Sequence, residues 1–125
     1  MRKSIVLCFA LLLAVMAGCA RKVNKDWVPT GGSRADATME LSYQYNPNTE
    51  IPVIDDQQGR DLAIARCRAW GYRSAEPFSG SIIGGAISTC NETVHAGLAG
   101  PVCISRLVTK QYQCLGRGSE APTSR

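Results

Sequence analysis

What this chain lacks narrows it before any motif is read. It has one histidine, His95, in 125 residues. A Ser–His–Asp nucleophile would have to use that residue. His95 lies in a Gly/Ala-rich stretch (VHAGLAG) with no GxSxG motif beside it, which predicts a loop histidine and not a catalytic base. No CxxC occurs, and structural zinc normally takes close ligand pairs, so no metal or other cofactor is expected. The formal charge is only +4, half of it from Arg2 and Lys3. A nucleic-acid binder carries a basic stripe, and none is visible. No apolar run reaches the roughly 20 residues of a membrane-spanning helix. No repeat of ~20–50 residues points to a solenoid. The chain is long enough for one domain with a modest core.

Cysteine is what it has in quantity, six in all. The first two belong to an address. Met1-Arg2-Lys3 is basic, residues 5–17 are apolar, and small residues precede Cys19, the layout of a secretory signal over residues 1–18. Met16-Ala17-Gly18-Cys19 resembles the lipobox of bacterial lipoproteins, which implies cleavage before Cys19 and acylation of its thiol and new amine. Two or three acyl chains make a stable anchor. Cys8 leaves with the signal. Ala20 stands where such lipoproteins carry Asp if they are kept in the inner membrane. The expected location is therefore the periplasmic face of the outer membrane of a Gram-negative envelope.

Residues 19–26 read as the lipidated cysteine and a flexible polar tether, 27–115 as the globular domain, and 116–125, without a large apolar residue, as a disordered tail. Thr38–Tyr45 alternates strictly, with Met39, Leu41, Tyr43 and Tyr45 on one face, and predicts a half-buried strand. Asp55 with Gln58 three residues on forms a capping box, and Gly71 suits the left-handed position past a last turn, so a helix is expected over 56–70. Its inner arc is Leu62, Ala63, Cys67, Ala69 and Trp70; Arg66 falls inside that arc and is expected to snorkel out. Asp55 and Asp56 read as caps, not as an acid–base pair. Residues 79–88 (SGSIIGGAIS) predict a loop entering a strand near Ile87. Residues 104–115 predict a long strand, with Val108, Tyr112 and Cys114 on one face and Leu107, Thr109 and Gln111 on the other. The expected fold is α+β, a small antiparallel sheet under one helix in the order β-α-β-β.

Strand geometry also sorts the four remaining cysteines. Cys103 and Cys114 bracket one strand and so lie ~36 Å apart at about 3.3 Å per residue. A disulfide spans only about 4.4–6.8 Å between α-carbons. Cys90 and Cys103 flank a glycine-containing segment and close the base of a hairpin, which leaves Cys67 on the helix to meet Cys114. The expected bridges are Cys67–Cys114 and Cys90–Cys103.

Trp27 followed by GGSRAD (residues 31–36), LSYQY (41–45), RCRAWGY (66–72) and VTKQYQC (108–114) resembles the YecR-like lipoproteins. That resemblance implies a small enterobacterial envelope protein associated with the flagellar regulon, without an established enzymatic activity. Partner binding is expected of Trp27, Gly31, Gly32, Ser33, Arg34 and Asp36. Gly and Ser amides can form an anion-accepting nest, Arg34 can grip a carboxylate, and Trp27 can stack beside them. Two functions follow: an accessory lipoprotein that binds an envelope protein, or an inhibitor or sensor of cell-wall enzymes. Catalysis is not expected.

Overall fold

The computed structural model describes residues 18–78 and 85–117. Most of the signal reading (residues 1–17), the glycine-rich 79–84 and the tail from 118 lie outside the described residues. The order is β1 (Arg21–Lys25), β2 (Val28–Ser33), β3 (Thr38–Tyr45), β4 (Glu50–Ile54), α1 (Asp56–Ala69), β5 (Tyr72–Pro77), β6 (Ala86–His95), a 3-10 turn at Gly97–Ala99, and β7 (Pro101–Arg117). It is an α+β fold rich in strand.

The main sheet has β2, β3 and β7 in antiparallel succession, with β5 and β6 both pairing with the far edge of β7. β5 takes the C-terminal half of β7 and β6 its N-terminal half. A separate parallel pair joins β1 to β4, from Arg21–Glu50 to Lys25–Ile54. The predicted order β-α-β-β therefore had too few strands. Residues 21–25, expected to be tether, form β1, and the last strand extends past 104–115 at both ends, so Gly116 and Arg117 belong to the sheet and not to a tail. β1 (RKVNK) has one apolar residue and is held through its backbone, which hydrophobic periodicity does not detect.

The helix starts and stops as its end residues dictate. The Asp55 carboxylate accepts the amides of Gln57 and Gln58 at 2.9 and 3.2 Å, and Gly71 takes φ +92° after the last turn. Gln58 does not complete a capping box; its amide is engaged elsewhere. Gly59, Ala63 and Cys67, four apart, are the buried stripe, with Leu62, Ile64 and Trp70 half-buried beside it, while Ala69 and Arg66 are exposed. The stripe covers Met39, Leu41, Ala75, Val108, Tyr112 and Cys114 together with Trp27, and these are the core. On the opposite face Ser42 is buried and its hydroxyl shares hydrogen bonds with those of Thr30 (2.8 Å) and Thr109 (2.9 Å). That satisfies a polar group the alternation pattern would leave in solvent.

Both bridges have the expected partners. Cys67–Cys114 pins the helix to β7 with its α-carbons 5.5 Å apart; Cys90–Cys103 ties β6 to β7 at 5.9 Å. No helix among the described residues is long and apolar enough to cross a membrane.

Candidate binding surface

The domain has two ends, and strand direction fixes what each carries. β3 stops against β7 at the pair Tyr45–Arg106, whereas β6 accompanies β7 as far as His95–Pro101. Beyond Arg106 the two strands leave the sheet as a ribbon closed by the 3-10 turn. All of β6 after Ala86 is exposed. Cys90 faces Arg106 and Cys103 faces Thr93, and the pairing shifts register between them, so the bridge braces a bulged ribbon at its root. Asn48, in the turn after β3, donates to the Cys103 carbonyl at 2.7 Å. The Arg21 amide donates to the neighbouring Thr49 carbonyl at 3.0 Å. Cys19, exposed and unbridged, therefore emerges at the ribbon end.

The opposite end carries the turn between β2 and β3. Ser33 Oγ accepts the Asp36 amide (3.2 Å), the Arg34 carbonyl accepts the Ala37 amide (3.4 Å), and Ala37 sits at φ 55°. Tyr72 Oη donates to the same Arg34 carbonyl at 3.4 Å, which brings the start of β5 beside the turn. Tyr72 also pairs with Arg117, and Arg68 Nε donates to the Arg73 carbonyl at 3.3 Å. Arg34, Arg66, Arg68, Arg73 and Arg117 are all exposed there. Sequence order hides this cluster, because its members come from a turn, a helix end and two strands. Arg66 and Arg68 also lie in the last helical turn, where cations face the negative end of the dipole.

The six expected partner-binding residues are thus divided. Gly31, Gly32 and Ser33 end β2, and Arg34 and Asp36 lie in the turn itself. Gly31 pairs with Glu40, whose carboxylate lies so close that a Cβ on Gly31 would meet Oε2 at 2.7 Å. An acidic oxygen over Gly31 opposes the anion nest, and the strand pairing accounts for both glycines. Trp27 is elsewhere and only 3% exposed. It packs under α1 at Gly59 and edge-on to Tyr43, with ring centroids 4.8 Å apart. A ring enclosed in this way is core and not an exposed platform beside the turn, so the expectation for Trp27 is corrected.

Two hollows flank β3. One, of about 300 Å³, is lined by Lys25, Asp26, Val28, Thr30, Ser42, Tyr43, Gln44 and Leu107. The other, of about 260 Å³, lies among Trp27, Tyr43, Ile54, Asp56, Ala86, Val108 and Lys110, where Lys110 Nζ is 3.4 Å from the Asp56 carboxylate. Burial, then the nearby Tyr45 and Asp56, push the Tyr43 phenol above its ordinary value. Neither lining contains a histidine or a cysteine, and His95 is on the ribbon, exposed. Among the described residues no three His, Cys, Asp or Glu side chains group as a metal site.

Among the described residues the chain is an α+β domain with one helix, two disulfides and an exposed cysteine at one end. The chain belongs to the YecR-like lipoprotein family, whose model matches residues 26–115. Membership makes it a lipoprotein, held at an envelope membrane. No curated protein matches the chain.

Proposed function

We propose that this lipoprotein is acylated at Cys19, faces the periplasm from the outer membrane, and holds an acidic envelope protein on its arginine-bearing end without catalysing a reaction. One observation carries the reading. Arg34, Arg68, Arg73 and Arg117 are exposed at the end of the domain opposite Cys19, where a partner reaches them while the anchor stays in the bilayer. Guanidinium groups suit carboxylates because their paired donors match the two oxygens. Ala20 supports the outer membrane as the location. A role in motility machinery is part of the same proposal for such a partner.

The test is cross-linking and co-purification from native membranes, comparing the wild type with Arg34→Glu/Arg73→Glu/Arg117→Glu. The wild type retains an acidic protein that is released as salt rises, since exposed charge pairs are screened within about 8–10 Å at ordinary ionic strength. The charge-reversed chain loses it. Equal capture by both chains would sink the proposal, as would the absence of a partner together with unchanged motility after deletion. The ribbon favours the second reading, an inhibitor of cell-wall enzymes, because a braced loop can enter a cleft. Failure of the mature protein to inhibit a lysozyme panel at micromolar levels would end that reading.

A further inference from the structure

The ribbon of β6 and β7 is unlike the rest of the surface. Residues 93–105 contain no Asp, Glu, Lys or Arg; the first charges met from its tip are Glu92 and Arg106. At the tip Leu98 is wholly exposed, and Val94 is exposed on the rung below, paired with Val102. Leu98 and Val94 make the end of this charge-free, disulfide-braced hairpin an apolar tip that gains by being covered.

What covers it is indicated by the anchor. Arg21 is bonded to Thr49, and Asn48 to Cys103, so the chain leading to Cys19 and the root of the ribbon share one edge of the domain. Cys19 is two positions from Arg21, with only Ala20 between them, a reach of no more than about 7 Å. From Cys103 to Pro101 the ribbon runs about 7 Å at strand rise, and the turn that carries Leu98 lies beyond it. The tip and Cys19 therefore lie at the same end of the domain.

We infer that the ribbon is a second membrane contact: Leu98, with Val94 and Pro101 behind it, dips into the bilayer that holds the acyl chains of Cys19. The inference rests on Cys19 being the lipid anchor. Glu92 and Arg106 mark the depth of entry, since charged groups stay in the headgroup layer. The open backbone edge of a two-stranded ribbon likewise confines it to the interface, where water still reaches unpaired amides. One anchor leaves the domain free to swivel; two contacts fix which end faces the periplasm. The arginine end then points away from the lipid.

The experiment uses the full lipoprotein purified from membranes, with Leu98→Trp, in vesicles of phosphatidylethanolamine and phosphatidylglycerol. Intact mass first reports whether Cys19 carries acyl chains. The added indole is expected to emit to the blue of an aqueous tryptophan, and brominated acyl chains are expected to quench most of the added emission. The parent protein, with only Trp27 and Trp70, changes little. In cells, a photo-cross-linking amino acid at position 98 is expected to give lipid adducts. Red-shifted, unquenched emission from an acylated protein overturns the inference alone. Adducts to a protein and not to lipid also overturn it and favour cleft insertion. A Cys19 without acyl chains overturns both the inference and the anchor on which it rests.

Discussion

Gln58 binds the backbone of Trp27 with both ends of its side-chain amide. The Trp27 amide donates to Oε1 at 3.0 Å, and Nε2 donates to the Trp27 carbonyl at 3.1 Å. Thirty-one residues separate the two in sequence, and the pair joins the exit of β1 to the first turn of the helix. Gln58→Ala leaves a donor and an acceptor unpaired beside a buried ring. The expected loss is about 2 kcal/mol in urea unfolding, since an unmade buried bond costs ~1–3 kcal/mol. A loss below about 0.5 kcal/mol would mean that water replaces the amide.

Gly59→Ala tests the same junction by volume. Alanine is favoured over glycine in a helix by about 1 kcal/mol. Here its Cβ would stand 2.6 Å from Trp27 Cδ1. Overpacking costs ~1–3 kcal/mol and outweighs the helical gain, so a net destabilisation of about 1 kcal/mol is expected, with a shift in Trp27 fluorescence. A stabilised variant would show that the indole moves aside freely.

The two disulfides should separate in their effects. Their loops of 47 and 13 residues correspond to about 4 and ~3 kcal/mol in the chain-entropy account. Cys67 and Cys114 are also buried in the core, whereas Cys90 is exposed on the ribbon. Cys67→Ala/Cys114→Ala is expected to lose most of the near-ultraviolet circular dichroism at 37 °C. Cys90→Ser/Cys103→Ser keeps that signal and loosens only the ribbon, read as faster amide exchange at Thr93 and Val102. Equal global losses would contradict this division.

Acid should release the β1–β4 pair first. The Glu50 carboxyl lies below its usual range because it accepts the Asn46 amide at 2.8 Å and then because Lys25 sits 3.1 Å away. A lowered carboxylate favours the fold above the ordinary glutamate range, and the contribution is lost as pH falls through the lower folded value. Titration of Glu50 by NMR should give a midpoint below that of an unstructured glutamate. Exchange at Val23 should rise over the same interval. Glu50→Gln is expected to remove both effects.

Elements with a strong local signature were legible in the sequence. The alternation of β3, the Asp55 cap, Gly71 and the apolar face of β7 are each written within a few residues. The bridges followed too, because an extended strand cannot bring its own ends together. What escaped was placement. Val23 alone does not announce a strand, since β1 is held by backbone bonds to β4. Trp27 resembles a surface aromatic until Gly59 admits it under the helix. No single segment carries the arginine cluster, which exists only once β5 returns beside the Arg34 turn. The spacing of Cys90 and Cys103 shows the hairpin, but its exit from the sheet depends on β3 ending at Tyr45.

β7 follows every other strand among the described residues and is the neighbour of β3, β5 and β6 alike. This sets an order of events for folding. Until β7 is present, three other strands lack the edge they need, and only the β2–β3 hairpin and the β1–β4 pair have their strand partners. Pairings of long sequence separation, such as β3 with β7, form slowly. The Cys90–Cys103 loop is the shorter and closes at lower entropic cost, whereas Cys114 must arrive before Cys67 has a partner. β7, which three strands share, is the one that commits the domain to its fold.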